Sequence, residues 1–293
     1  MILRTFFISA LLACVSTSAF AQALYVKNGK LDLDTNRGNI EAFVKLRAST
    51  KPEDVFTWWT GSVFAVELGK KPQRLFGFEG FNVARMLKLD NGSYQMLSRE
   101  FAVFRDPVSN EILKTWKNPW TDETVEVFQI QNDPVNHVMG PGDSDRPYRM
   151  PWVIKNNQTM LQIDVPLAYP SPLPVKDYPA ESAGDLYVGS EHFGFYVDTR
   201  DLLSPRTNNI PMQLTWTRSG PWMPWMHMGQ QPGLLLFVAM GEKLDNPKQM
   251  SPDLLALVKA DFPKFLKAPT EKIAPNATSW NTYRNYLESK SAN

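Results

Sequence analysis

Leu87-Lys88-Leu89-Asp90-Asn91-Gly92-Ser93-Tyr94-Gln95-Met96 reads as a hairpin: two runs of alternating apolar and polar residues, Arg74 to Leu89 and Tyr94 to Arg105, meet at Asn-Gly. That dipeptide tolerates the two positive φ angles of a two-residue type I′ turn. A turn of this kind sets which side chains face each other. Leu89 falls opposite Tyr94, Arg85 opposite Ser98 and Val83 opposite Glu100, so Glu79, Arg85 and Glu100 are expected on one face of the sheet.

The same alternation continues on both sides of the hairpin. Further strands are expected over Val55 to Leu68, Ile112 to Trp116, Thr124 to Gln131, Met160 to Val165, Leu186 to Val197, Pro211 to Arg218 and Leu234 to Met240. The pattern is mainly β: an antiparallel meander of about nine or more strands, closed into a calycin-like or lipocalin-like barrel, because closure removes unpaired edges. Helices are expected at the C-terminal end (251–290), packed on the barrel. There Ser251 and Pro252 open a helix with an apolar stripe of Leu254, Leu257, Val258, Phe262 and Phe265, and a second helix carries Trp280, Tyr283 and Leu287. Asn36 to Arg47 fits either a helix or a first strand. The Pro-rich stretches Asp133 to Pro151 and Pro166 to Pro179 read as long loops.

At the N-terminus, Arg4, the apolar run Phe6 to Val15 and Ala19-Phe20-Ala21 have the form of a secretory signal peptide spanning residues 1–21 and cut after Ala21. A competing reading acylates Cys14 as a lipoprotein anchor. The remaining 22–293 is expected to be a single periplasmic or extracellular domain. Without the leader, basic and acidic residues balance and no cysteine is left, so the fold must rest on its apolar core. No Lys/Arg block marks a nucleic-acid partner, and no run is long enough for a membrane span.

Three constellations could carry chemistry. Glu79, Arg85 and Glu100 on one mostly apolar face form either a recognition or acid/base centre inside the barrel, or a structural ion pair. Gly220-Pro221-Trp222-Met223-Pro224-Trp225-Met226-His227-Met228-Gly229 holds too much Pro and Gly for regular structure. Its Trp and Met side chains suit a wall over an apolar cavity, or equally a plug filling the barrel end. Asn132-Asp133-Pro134-Val135-Asn136-His137 closes a strand and could face a ligand, although Asn beside Pro commonly shapes turns. Trp58 and Trp59 are adjacent in a strand, so at most one looks inward. His137, His192 and His227 lack metal-site spacing, and a set assembled from His137, Glu191 and His227 is the remaining metal reading. No nucleophile elbow, Walker loop or dinucleotide fingerprint is present, and no cofactor is implied.

The ordered motifs Trp58-Trp59-Thr60-Gly61-Ser62, Glu79-Gly80-Phe81-Asn82-Val83, Asn118-Pro119-Trp120-Thr121, Asn132 to His137 and Gly220 to Met226 resemble DUF1838, a secreted microbial family defined as a domain of unknown function. The resemblance runs from about Ile40 to Leu244 and implies one exported domain, without an activity or site residues to transfer. The expected function is binding of a small apolar or aromatic molecule by Glu79, Asn82, Arg85, Glu100, Asn132, Asn136, His137, Trp222, Trp225 and His227. The alternatives are a cofactor-free lyase, isomerase or hydrolase using the carboxylates with Arg or His, and a carbohydrate-binding module with Trp platforms. An enzyme predicts an inward carboxylate of raised pKa beside Arg or His at an open cavity. A binder predicts a cavity with its charges fully paired, and a sugar module no deep cavity.

Overall fold

The computed structural model describes residues 25–140 and 149–291. The leader read at residues 1–21, Cys14 with it, and part of the loop after Asp133 lie outside these residues. The chain begins with a small hairpin of β1 (Val26–Lys27) and β2 (Lys30–Leu31), then α1 (Asn36–Arg47). The Thr35 hydroxyl caps α1, accepting from the Gly38 backbone N–H at 3.0 Å. Three long strands follow, β3 (Val55–Val66), β4 (Gln73–Lys88) and β5 (Tyr94–Arg105), then the short pair β6 (Thr115–Lys117) and β7 (Thr124–Glu126). After these come β8 (Ile130–Met139), β9 (Trp152–Lys155), β10 (Gln158–Pro170), β11 (Leu186–Asp198), α2 (Thr199–Leu203), β12 (Gln213–Gly220) and β13 (Leu234–Leu244). Two helices, α3 (Pro252–Asp261) and α4 (Ser279–Ser291), complete the order.

Nine strands form one antiparallel sheet in the order β8-β5-β4-β3-β13-β12-β11-β10-β9. It is two meanders joined where β13 pairs with β3. The mainly β, antiparallel expectation holds. The sheet curls into a half-barrel, with β8 and β9 at its two edges rather than joined. Closure is unnecessary because β9 has four residues and β8 is covered: Asp133 N–H donates to the Ala277 carbonyl at 3.2 Å and Ala277 N–H to the Pro134 carbonyl at 3.1 Å. Pro134 and the neighbouring shift in β5–β8 pairing belong at an edge, where a missing N–H breaks no ladder. The same reason lets β10 run through Pro166 to Pro170, read as loop in the sequence, because β9 pairs only with Gln158 to Leu161.

The central hairpin corrects the expected register. Leu89 N–H donates to the Ser93 carbonyl at 2.8 Å and Gly92 N–H to the Leu89 carbonyl at 2.9 Å. The loop is therefore Asp90-Asn91-Gly92, a three-residue connection in which Gly92 alone has positive φ, at 83°. The Asn91 side chain accepts from Ser93 N–H at 3.0 Å instead of placing its own backbone in the left-handed region. One extra loop residue moves every pairing by one: Lys88 faces Tyr94, Arg85 faces Leu97, Asn82 faces Glu100 and Glu79 faces Val103. Glu100 therefore shares a face with Asn82, while Glu79 and Arg85 lie on the other.

The outer face packs Phe56, Phe81, Val83, Phe101 and Val103 against Leu254 and Val258 of α3 and Phe265 beyond it. The inner face holds two apolar blocks. One gathers α1 with Ala84, Met86, Met96, Phe195 and Leu214. The other gathers Phe76, Phe78, Phe104 and Phe237 with Trp222, Met223, Trp225, Met226 and Met228 and with Trp280 and Tyr283 of α4.

Candidate functional site

Between the two inner blocks the concave face is not filled. A cavity of about 280 Å³ opens there, walled by Trp59 and Thr57 of β3, Phe78 of β4, Glu100 and Ala102 of β5, and Asn132 of β8. Opposite stand Leu167 and Tyr169 of β10, Tyr187, Glu191 and Phe193 of β11, and Leu214, Trp216 and Arg218 of β12. Arg47, the last residue of α1, closes one side, and the stretch Asn276 to Trp280 another. The walls are mostly aromatic and aliphatic, with a few polar groups converging on the space, as in small-molecule sites.

Four charged side chains line this space. Cross-strand pairing sets Glu191 opposite Arg218, but their closest approach, Nε to Oε1, is 3.7 Å, beyond hydrogen-bonding distance. Arg218 Nη2 donates to the Tyr187 hydroxyl. Its guanidinium sits 5.0 Å from the Phe237 ring centre, 5.3 Å from Trp280 and 5.8 Å from Tyr187, so aromatic faces hold it in place. Tyr169 stacks on Tyr187 at 4.7 Å. Arg47 donates to Thr57 Oγ1 at 3.2 Å and Asn82 Oδ1 at 2.9 Å, both neutral acceptors. Glu100 accepts from Asn132 Nδ2 at 2.8 Å, and Asn132 Oδ1 in turn accepts from the Ser279 N–H at 2.7 Å and hydroxyl at 2.8 Å.

Burial governs the titration of these groups. Desolvation pushes Glu191 up to about 7; Arg218 opposes the shift and Glu100 adds to it. Desolvation also raises Glu100, against the hydrogen bond from Asn132 and the charges of Arg47 and Arg218. It pulls Arg47 below the ordinary guanidinium value, with Glu100 acting the other way. Glu191 keeps 25% of its side-chain surface accessible, and that surface opens onto the cavity.

The family model for DUF1838, proteins of unknown function, matches residues 52–287. The chain belongs to this family. No curated protein matches it. The segment matching DUF1838 supplies every residue of the cavity wall except Arg47, which comes from the helix before it.

Of the residues singled out in the sequence of this DUF1838 chain, Glu100 and Asn132 reach the cavity, and Asn82 stands beside it as the acceptor for Arg47. Glu79 faces outward, contrary to the expected register. Its carboxylate accepts from Trp58 Nε1 at 2.7 Å, Arg105 Nε at 2.9 Å and the Ser251 hydroxyl at 2.8 Å, fastening α3 to the sheet. Arg85, also outward, donates to Asp54 at 2.7 Å and 3.0 Å. These two are the structural ion pairs of the alternative reading, each with a partner other than the one expected. Of the adjacent tryptophans, Trp59 looks inward and Trp58 outward.

Asn136 pins the segment outside β8, its N–H donating to Asn276 Oδ1 at 2.8 Å and its amide to the Ile273 carbonyl at 2.6 Å. His137 is exposed and lies off the cavity wall. Trp222 and Trp225 are buried in the inner core, away from the cavity, because their segment is the plug of the two readings offered. His227 pairs with Glu123 at 3.1 Å. The set His137, Glu191 and His227 is thus not assembled, and among the described residues no group of three His, Cys, Asp or Glu is placed to hold a metal ion.

Sequence reasoning missed Arg47, Tyr187, Arg218 and the 276–280 stretch, and named Glu191 only as a member of a metal set. For two of them a signal existed. Glu191 shares its strand parity with Tyr187, Phe193 and Phe195, and Arg218 with Leu214 and Trp216, so both are charges on an otherwise apolar face.

Proposed function

We propose that this protein binds a small, flat, mostly apolar molecule in the concave cavity, oriented by Arg47, Glu100, Asn132, Glu191 and Arg218. One observation carries the reading: four charged side chains line a single cavity, and among the described residues no carboxylate there comes within 3.7 Å of a guanidinium. Buried charges that do not satisfy each other call for a further partner. Calorimetry with three bicyclic probes, 2-naphthoate, 2-naphthamide and 2-naphthylmethylammonium, tests this. At least one is expected to bind once per chain, and Leu167→Trp, which fills the cavity from a half-buried edge-strand position, is expected to abolish it. If no probe binds, or if the substitution leaves binding intact, the proposal fails.

A second reading, acid–base catalysis without a cofactor, is favoured by the titration of Glu191. A carboxyl group at about 7 can both give and take a proton near neutral pH, and Arg218 beside it would stabilise negative charge developing on a carbonyl oxygen. The carbon resonance of one glutamate carboxyl is expected to titrate near 7 and to vanish in Glu191→Gln. Because the folded value lies above the unfolded one, about 4.3, this group favours the fold fully at low pH. That contribution disappears as pH rises through about 7. Wild type should therefore lose stability relative to Glu191→Gln across that window, by on the order of 3 kcal/mol. A flat difference between pH 4 and 8 would remove the catalytic reading.

A sugar platform needs exposed rings, and all nine tryptophans are buried or half-buried, which counts against that reading. We also propose export, on the features of residues 1–21. Intact mass of the exported chain should place its first residue at Gln22, and a retained leader would refute it.

A further inference from the structure

We propose that the ligand of this cavity is an organic anion, a carboxylate on a flat apolar body, with the carboxylate received by the Arg218 guanidinium. The inference deepens the binding proposal and rests on it. It starts from a surplus of donors. Arg218 spends one N–H on the Tyr187 hydroxyl, and among the described residues no carboxylate lies within hydrogen-bonding distance of it. Arg47 gives its hydrogen bonds to the neutral acceptors Thr57 and Asn82, and among the described residues it makes no salt bridge. Trp59, on the cavity wall, has a buried indole N–H without an acceptor. On the acidic side, Glu100 already accepts from Asn132, while Glu191 stands 3.7 Å off.

The charges facing the space come from α1 (Arg47), β5 (Glu100), β11 (Glu191) and β12 (Arg218). Behind Arg47, the Lys45 and Lys243 side-chain nitrogens are tied to backbone carbonyls, and burial lowers the pKa of both. Burial disfavours the ionised form of both glutamates, and at about 7 Glu191 is only partly ionised near neutral pH, while the guanidiniums keep their protons. A planar guanidinium held rigid by aromatic faces is preorganised for the two parallel hydrogen bonds of a carboxylate. Phe78, Phe193, Leu214 and Trp216 would take the apolar body.

The three probes distinguish the classes at pH 7. 2-Naphthoate is expected to bind at least about tenfold more tightly than 2-naphthamide, the worth of one charge-assisted pair, and 2-naphthylmethylammonium weakest. Arg218→Gln is expected to remove most of the preference for the acid while leaving the amide within about threefold. If that variant does not fold, the order of the three probes on the wild-type chain decides. Amide or ammonium binding as tightly as the acid, with Leu167→Trp still blocking, overturns the anion class and leaves the pocket standing. No binding of any probe overturns both.

Discussion

Arg105→Ala is expected to lower the unfolding free energy by about 3–5 kcal/mol, read as a fall in the urea midpoint at unchanged m value. Arg105 keeps only 5% of its side-chain surface exposed, as does Glu79. It donates to Glu79 through Nε and Nη2, to Asp253 at 2.6 Å and 2.9 Å, to the Asn110 carbonyl at 2.8 Å and to the Ser251 hydroxyl at 3.0 Å. Truncation would leave the Glu79 carboxylate buried with two neutral donors, Trp58 and Ser251, and no counter-charge. The cost comes from that stranded charge rather than from the pair's net worth. The double variant Glu79→Leu/Arg105→Met, apolar at both positions, should recover most of the loss. It should also bind 2-naphthoate as the wild type does, since this cluster is on the opposite face from the cavity. A single-variant loss below about 1 kcal/mol would show that water reaches the pair.

Trp225→Ala carries the second large effect. Trp225 is 1% exposed and packs against Phe104 at 5.2 Å, Phe76 at 5.6 Å and Trp116 at 5.9 Å between ring centres. Deleting such a ring removes its transfer energy and leaves a hole that the surrounding rings cannot collapse into, about 3–5 kcal/mol in all. For a domain of this size the melting temperature should fall by roughly 10 °C. Trp225→Phe should cost less, because it also removes an indole N–H that is buried without an acceptor. The measurement separates plug from lid: a wall over the ligand would lose probe affinity and keep its melting temperature, whereas a plug does the reverse.

Much of the architecture is legible in the residues because it follows from local rules. Tyr94 to Arg105 is a strand with the expected bounds, and α3 starts at Pro252 with Leu254 and Val258 inward. What failed was counting through a turn. Asn91-Gly92 signals a hairpin equally well with two or three loop residues, yet the loop length decides whether Glu100 shares a face with Glu79 and Arg85. Pro134, Pro166 and Pro170 misled for a related reason. Proline argues against a central strand, and these sit on strand edges whose exposure only the full topology reveals. The site was the least legible part. Arg47 and Glu100 lie far apart in the chain and meet through the curl of the sheet, which no local pattern encodes. Glu191 and Arg218 could have been found by asking which charges break the parity of an apolar strand face.

Asn276, Ala277 and Ser279 have a double duty: they line the hollow and they occupy bonding groups along the open margin of β8. A molecule bound against them, as proposed, would hold that margin shut by mass action. On the proposed binding, an empty hollow and exposure of a sticky strand border would be thermodynamically linked, and this short latch would tie resistance to self-association to occupancy of the hollow.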